Sequence, residues 1–180
     1  MKEQDDKELV RRCLRGEKKA FEPILDRYEK TIYNLVLRMV NDREDASDLT
    51  QSVFVKAYEK LNTYNTRFKF FSWLYKIAVN TALNFIGHRK NQERLSDDLV
   101  SEDTGLEMEF EESERCQKLE EAILALRPDY RIVIVLRHFQ DLSYDEMSKI
   151  LEIPMKTVKS RLFTARQMLK VILTKSGLQG

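Results

Sequence analysis

The sequence SYDEMSKILEIPMKTVKSRLFTARQMLK, residues 143–170, carries the clearest structural signal in this chain. Its apolar residues recur every three or four positions on both sides of a short break at 152–154, which indicates two helices joined by a tight turn. Ser143 and Glu146 match the S-x-x-E capping box, in which each side chain accepts a hydrogen bond from the other residue's backbone N–H. The stretch therefore predicts a helix-turn-helix unit.

The second helix of this unit has one apolar side and one polar, basic side. Val158, Leu162, Ala165 and Leu169 form the predicted inner stripe. On the outer side, the candidates for contact with DNA are Lys156, Thr157, Lys159, Ser160, Arg161, Phe163, Thr164 and Arg166. Lys and Arg can pair with guanine edges or with phosphates, so such a helix can enter the major groove with its amino end first. The alternative is an ordinary helical hairpin with a solvated basic face.

Working outward, the rest of the chain also favours helix, because glycine and proline are few and straight side chains lose little rotamer freedom in helices. Apolar spacing predicts helices over 5–15, 17–40 (one helix, or two joined near Lys30), 42–61, 72–87 and 114–126. Residues 62–71 lack the period and are expected to form a loop. The β-branched run at 132–136 is also typical of a buried strand, but it has no partner strand, so helix is predicted. The fold class is all-α.

Charge divides the 180 residues into three parts. Residues 1–92 hold 18 basic and 13 acidic side chains, and residues 123–180 hold 10 and 5. Between them, residues 93–122 hold 3 basic and 12 acidic side chains. This distribution predicts two small helical domains, 1–92 and 114–180, joined by an acidic flexible linker at 93–113.

One segment of the first domain, 60–92, combines cations with aromatic rings. It holds six Lys and Arg residues, no Asp or Glu, and seven of the chain's aromatic side chains. Cations that contact phosphate and rings that stack on unpaired bases are typical of single-strand binding. The candidates are Tyr64, Arg67, Phe70, Phe71, Trp73, Lys76 and Asn80. Core packing is the competing explanation for each single ring, and Phe70 and Phe71 are adjacent, so both are not expected to point inward.

Other classes of function find no support in the sequence. The longest aliphatic run is five residues, far below the ~20 needed to span a bilayer, and no export signal is recognised. Two distant cysteines and two histidines give no zinc-ligand spacing, and reduced thiols are expected. No nucleophile–base pair or cofactor motif is present, so neither catalysis nor a cofactor is expected.

Read together, DASDLTQSVFVKAYEKL (45–61), FFSWLYKIAVNTALNFI (70–86) and LSYDEMSKILEIPMKTVKSRLFTARQML (142–169) resemble the extracytoplasmic-function (ECF) sigma factors. These are small two-domain sigma subunits of bacterial RNA polymerase. The resemblance covers both predicted domains in order. It implies a cytoplasmic initiation factor that binds core polymerase and promoter DNA without stable membrane insertion, and it also implies an anti-sigma partner.

The resemblance assigns roles by position. Asp45, Asp48, Gln51 and Phe54 are expected to bind polymerase, through the β′ clamp helices, with the β subunit as a further contact. The loop at 64–71 and Asn80 match a pocket for a base flipped out of the minus-ten element. The outer residues of the last helix match positions that meet the minus-thirty-five element. The acidic linker corresponds to a segment directed toward the RNA exit path.

The sequence departs from the family pattern in the helix-turn-helix. Glu152 stands where many members have glycine in a turn that prefers positive φ, at an expected cost of ~1 kcal/mol. Lys156 replaces a frequent glycine, and Lys159 and Thr164 replace frequent arginines. Lysine lacks the bidentate fork of arginine, so the preferred promoter sequence is left open.

Three rival functions are open at this point. A helix-turn-helix regulator would bind duplex DNA tightly without polymerase. An RNA- or single-strand-binding module would show salt-dependent binding without promoter selectivity. An enzyme could use Asp45 and Asp48, which are neighbours on a helix face, but no histidine or metal motif supports them.

Overall fold

In a computed structural model of the protein, the described residues are 2–95 and 114–177. Both ranges are built from α-helices and short helical turns, and neither contains a strand. The helices are α1 (Lys2–Leu14), α2 (Glu22–Val40), α3 (Arg43–Glu59), α4 (Phe70–Leu95), α5 (Glu114–Leu124), α6 (Pro128–Ile134), α7 (Tyr144–Leu151) and α8 (Met155–Lys175). The all-α prediction is confirmed. Most of the predicted acidic linker, 96–113, lies outside the described residues.

Helices α1–α4 pack around one apolar core, whose fully buried side chains include Ile24, Ile32, Leu35 and Leu74. The sharp reversal between α2 and α3 has a local cause. Asn41 ends α2 in the left-handed conformation at φ 58°, and the Asp42 carboxylate caps α3 by accepting from the Asp45 backbone N–H over 2.8 Å. Asparagine tolerates left-handed backbone better than most residues.

Several helix boundaries differ from the sequence prediction, and those of α2 and α4 bear on the candidate site. The break in the 17–40 stretch falls at a 3-10 turn, Lys18–Phe21, because Pro23 in the first turn of α2 suits a helix start and not an interior. Helix α4 begins at Phe70, two residues early, and continues past Gly87 to Leu95. A helical glycine costs only about 1 kcal/mol, so Gly87 does not end α4. The first predicted domain boundary, after residue 92, therefore falls inside a helix.

The second half of the fold consists of α5–α8, and the β-branched run is helical as predicted. Residues 132–134 lie in α6, and Val135–Phe139 continue it as a π-helical segment. Met147 and Ile150 of α7 face the same core as Val158 and Leu162 of α8, all at 0 or 1% exposure. The predicted inner stripe of the last helix is therefore confirmed.

The two halves contact each other. The Arg131 guanidinium donates to the carbonyl oxygen of Met39 at the end of α2, and also to the Leu124 and Leu126 carbonyl oxygens beside α5. Burial lowers the Arg131 pKa from its ordinary value. Nearby, the Arg38 guanidinium lies 4.2 Å from the centre of the Phe139 ring. Helix α4 also packs against α7, which sets the first half's candidate DNA surface opposite the helix-turn-helix.

Within the described residues, none of the helices is long and apolar enough to cross a membrane. Within the described residues the two cysteines are not joined by a disulfide, and Cys13 lies in the core while Cys116 lies at the surface.

Candidate nucleic-acid interface

Two of the rings predicted to stack on bases lie in the core of the first half. Phe70 is fully buried and Tyr64 is 7% exposed, and their ring centroids are 5.3 Å apart in an edge-to-face contact. The Tyr64 hydroxyl donates to the Phe68 carbonyl oxygen over 2.7 Å, which fixes the loop before α4. The assignment of these two rings to DNA binding is wrong for this structure, because a buried ring offers no face to a base.

The other predicted single-strand residues keep accessible surface. Arg67 and Asn80 are exposed, while Phe71, Trp73 and Lys76 are half-buried. Phe71 packs edge-to-face on Tyr75, so only part of its ring is accessible. Phe70 is buried and Phe71 is not, although they are adjacent, because successive residues of a helix are rotated by about 100° around its axis. Phe70 points toward α2, and Phe71 points in a different direction.

Asn80 opens into a concavity of about 330 Å³ between the end of α3 and the middle of α4. Its lining combines polar and basic side chains with one aromatic and one aliphatic side chain: Lys56, Lys60, Thr63, Trp73, Lys76, Ile77, Asn80, Thr81 and Asn84. The Lys56 ammonium donates to the Thr81 hydroxyl over 3.3 Å, which joins the two helices. An indole wall, amides and three ammonium groups can together hold an unpaired base and its phosphates.

Two of the lining residues, Lys60 and Asn84, belong to the acid-free segment predicted from the sequence, and Asn84 was predicted with Asn80 to offer an amide to a base edge. Lys56 and Thr63 were not among the candidates. Lys56 carried no signal in the sequence, because its place in the concavity depends on the packing of α3 against α4.

The residues expected to meet polymerase all lie on α3, and all but one keep accessible surface. Asp48 and Gln51 are exposed and Asp45 is half-buried. Burial first, and then the neighbouring Asp42, raise the pKa of Asp45, while Arg89 acts in the opposite direction. Phe54 is only 5% exposed and packs on Phe21, 6.5 Å between ring centroids. Its assignment as a polymerase contact is therefore wrong for this structure, because its ring belongs to the core.

The helix-turn-helix has the predicted capping box. The Ser143 hydroxyl accepts from the Glu146 backbone N–H, and the Glu146 carboxylate accepts from the Ser143 backbone N–H over 3.0 Å. Partial burial of Glu146 acts against ionisation, but hydrogen bonds from Lys69 and Ser143 lower its pKa overall. Glu152 ends α7 at φ 53°, the left-handed conformation expected from the glycine that it replaces.

The outer face of α8 is accessible where the sequence predicted contacts with DNA. Phe163 is 65% exposed, and the remaining candidates are exposed or half-buried. The Lys159 ammonium lies 5.7 Å from the centre of the Tyr144 ring, and Arg137 lies 5.6 Å from the same ring. The Arg166 guanidinium donates to His138 Nε2 over 3.4 Å. These contacts orient basic side chains on a surface that could meet the major groove.

A cleft of about 730 Å³ separates this helix-turn-helix from the first half. One wall carries Arg67, Lys69, Trp73 and Lys76, and the other carries acidic side chains of α7 and its turn. Lys69 Nζ lies 2.9 Å from Glu146 Oε1, and Lys76 Nζ lies 2.7 Å from Glu152 Oε1. The described residues contain no cluster of His, Cys, Asp and Glu that could hold a metal ion.

Two family models match this chain. The model of Sigma-70 region 2 matches residues 24–94, and that of Sigma-70 region 4 matches residues 116–169. These ranges include both candidate surfaces, the concavity of α3 and α4 in the first and the helix-turn-helix in the second. The acidic residues between 95 and 115 belong to neither match.

Curated relatives match almost end to end. The ECF RNA polymerase sigma-E factor of Haemophilus influenzae is 36% identical over 92% of this chain and 93% of its own length. The RNA polymerase sigma-H factor of Pseudomonas aeruginosa is 33% identical over 92% of both chains. Among solved structures, the sigma factor RpoE in complex with the anti-sigma factor NepR from Bartonella quintana has the same fold. Its TM-score is 0.75 at 24% identity, covering 87% of this chain and 98% of that one.

The two family models and the curated relatives lead to the same family. The models match successive parts of the chain, and the relatives share about a third of their residues with it over nearly its whole length. Sigma factors are initiation factors, not enzymes, and they direct RNA polymerase to specific promoters. The chain belongs to the extracytoplasmic-function sigma factors of bacterial RNA polymerase.

Proposed function

We propose that the two halves divide the promoter between them. Residues 1–92 hold core polymerase and capture unpaired bases of the minus-ten element, and residues 114–180 read the duplex of the minus-thirty-five element. The acidic residues between them connect the two functions. The reaction takes place in the cytoplasm, where the polymerase works.

The observation that carries this proposal is the concavity around Asn80. Trp73 offers a partly exposed ring for stacking, Asn80 offers an exposed amide for a base edge, and Lys76 offers a cation for phosphate. Opening DNA costs a few kcal/mol per disrupted step. Stacking recovers about 1–3 kcal/mol per base, so a small number of captured bases offsets that cost.

Polymerase binding is proposed for the exposed face of α3. Asp48 and Gln51 point to solvent there, and Asp45 lies beside them at the start of the helix. These polar side chains suit the β′ clamp helices, and the β subunit is a second contact. Phe54 serves this surface only indirectly, by fixing α3 to the rest of the bundle.

Minus-thirty-five recognition is proposed for the outer face of α8. Lys156, Lys159, Ser160, Phe163 and Arg166 are exposed, and Thr157, Arg161 and Thr164 are half-buried beside them. An anti-sigma protein is proposed as a further partner, on the ground that the Bartonella relative was solved in complex with one.

The test is transcription from a randomised promoter library with purified core polymerase. With this chain added, we expect transcripts enriched for paired minus-thirty-five and minus-ten elements, and unpaired thymines near the start site in permanganate footprints. Transcripts and footprints that match those of core polymerase alone would contradict the proposal.

Asn80→Ala tests the concavity itself. It should leave polymerase affinity unchanged and lower open-complex formation about tenfold, since the loss of one good base contact is worth ~1–3 kcal/mol. Asn62→Ala is the matched control, because Asn62 is also an exposed amide but does not line the concavity. Equal loss of polymerase binding and opening would instead make Asn80 a residue of the fold.

A further inference from the structure

The cleft between α4 and α7 pairs two surfaces of opposite charge. Its first wall carries Arg67, Lys69 and Lys76, and its second carries Asp145 and Glu146 of α7 and Glu152 at the turn. The second wall also carries Lys149, but its ammonium is 2.5 Å from the Asp145 carboxylate and neutralises only that group. The remaining carboxylates, Glu146 and Glu152, each pair with a lysine of the first wall.

One of these ion pairs depends on a strained backbone conformation. Glu152 stands in a left-handed position that glycine would occupy without strain. From there its carboxylate reaches Lys76, a residue of the proposed minus-ten site. Glu146 uses one carboxylate oxygen for the capping box and the other for Lys69. The helix-turn-helix therefore presents two carboxylates to lysines of the first half.

A hydrogen bond fixes the same contact beside the ion pairs. The Tyr75 hydroxyl donates to Gln140 Oε1 over 2.8 Å across the boundary between the halves. Burial raises the Tyr75 pKa to about 12, so the hydroxyl remains a hydrogen-bond donor well into the alkaline range.

This arrangement cannot persist on a promoter. About 25 base pairs separate the two elements that the halves are proposed to bind, which at ~3.4 Å per base pair is on the order of 85 Å of duplex. Yet Lys69 in one half is 2.9 Å from Glu146 in the other. Both ion pairs must therefore break before the two elements are engaged together.

We propose that α7 and its turn form an internal competitor of promoter DNA, in which Glu146 and Glu152 occupy Lys69 and Lys76 in the free chain and release them when the halves separate. The proposal rests on the proposed function, because that function assigns Lys76 to the minus-ten strand, and Lys69 lies in the same acid-free segment, 60–92. In this closed state the cleft is screened by carboxylates, and Lys76, which lines both the cleft and the Asn80 concavity, is paired with Glu152.

The expected effect is modest because the pairs are exposed. Lys76 and Glu152 keep 38% and 65% of their side-chain surface. Exposed ion pairs of this kind shift an equilibrium about 1.4- to 5-fold each. Apparent DNA affinity falls in proportion to the open fraction, so loss of one pair should raise affinity by a factor in that range.

The first experiment measures filter binding of a radiolabelled dT12 oligonucleotide to the full chain without polymerase, at about 50 mM salt. Glu152→Gln should bind about 1.4- to 5-fold tighter than the unaltered chain. Glu121→Gln is the matched control, because Glu121 is an exposed carboxylate on α5 that does not line the cleft. Equal affinities for the two variants would overturn the proposal.

The second experiment measures the separation of the halves directly. Nitroxide labels at His88→Cys on α4 and Gln167→Cys on α8, in a Cys116→Ser background, report the distance by pulsed electron resonance. Glu152→Lys and Lys76→Glu should each lengthen and broaden the distribution, and the double swap should restore it. The proposal would be overturned if the unaltered chain, the two single variants and the double variant gave the same distance distribution. It would also be overturned if the double variant kept the longer distances of the single variants.

Promoter-dependent transcription separates this inference from the proposed function. If the chain directs core polymerase normally but Glu152→Gln changes neither DNA binding nor the distance distribution, only the internal competitor is refuted. If no promoter-dependent transcription is obtained, the proposed function fails whatever the state of the cleft.

Discussion

At the scale of single residues, Glu152 combines a strained backbone conformation with an ion pair between the two halves. Its φ of 53° lies in the region where an L side chain crowds the following carbonyl oxygen. The compensation is a 2.7 Å ion pair with Lys76 in the other half. At this position glycine would favour the stability of the local backbone, whereas glutamate favours contact between the halves.

Glu152→Gly should raise the free energy of unfolding by up to about 1 kcal/mol, because it removes the left-handed strain. Unfolding by urea at about 0.5 M salt, where the exposed ion pair is screened, measures this. Glu152→Gln should leave stability unchanged and Glu152→Asn should fall between, since asparagine tolerates the conformation. A Gly variant no more stable than the Gln variant would contradict the explanation.

His138 gives the protein a pH dependence. Burial first, and then the Arg166 and Arg137 charges, lower its pKa below the ordinary value. The unfolded chain therefore takes up this proton first as pH falls, so stability is lost as pH drops through about 6.5 and toward the lower folded pKa.

We expect the melting temperature to drop more in the unaltered chain than in His138→Gln between pH 7.5 and 5.5. Glutamine keeps an acceptor for Arg166 but cannot gain a proton. Thermal melts at both pH values measure this difference, and parallel drops in the two proteins would show that His138 does not contribute.

At the scale of elements, α8 has two faces with different surroundings. Val158, Leu162, Ala165 and Leu169 anchor one face in the core, and the opposite face is accessible and is the one proposed to contact DNA. This division follows directly from the helical period, so the sequence predicted it with its residues.

Lys159→Ala should change promoter preference while leaving affinity for core polymerase intact. The ammonium is exposed on the outer face of α8, where the loss of one base contact is worth ~1–3 kcal/mol. Selection from the randomised library with each protein measures the preferred minus-thirty-five sequence. Lys170→Ala, also exposed on α8 but outside the proposed contacts, is the control, and identical selected sequences for all three proteins would contradict the role.

The first half could be predicted less completely than α8. The period located α3 and α4, but residue type alone does not tell whether a ring in a cation-rich segment points in or out. Phe54, Tyr64 and Phe70 were therefore assigned to partners and are found in the core. Conversely, the sequence did not indicate that Lys56 lines the concavity, because its hydrogen-bond partner Thr81 lies 25 positions away on another helix.

At the scale of the whole molecule, Arg131 joins the two halves. Its guanidinium donates to the carbonyl at the end of α2 and to two carbonyls beside α5. No local pattern in the sequence reveals this role, because the Met39 carbonyl is 92 positions away.

Arg131→Ala should lower the free energy of unfolding by about 2–4 kcal/mol, because part-buried carbonyl groups lose their donor at about 1–3 kcal/mol per unsatisfied group. Chemical unfolding measures the loss. Arg127→Ala is the control, since that side chain is 77% exposed beside the same turn, and similar stability of the two variants would contradict the joining role of Arg131.

Trp73 is the chain's one tryptophan, and it lies at the boundary between the Asn80 concavity and the charged cleft. All tryptophan fluorescence therefore comes from Trp73. Both the binding of a base in the concavity and the separation of the helix-turn-helix from the first half would change the surroundings of this indole. Stacked nucleobases should quench this emission, whereas withdrawal of α7 should make the indole more accessible to a small solute such as acrylamide. The fold thus contains a built-in optical probe that distinguishes occupancy by DNA from separation of the halves, without any added dye.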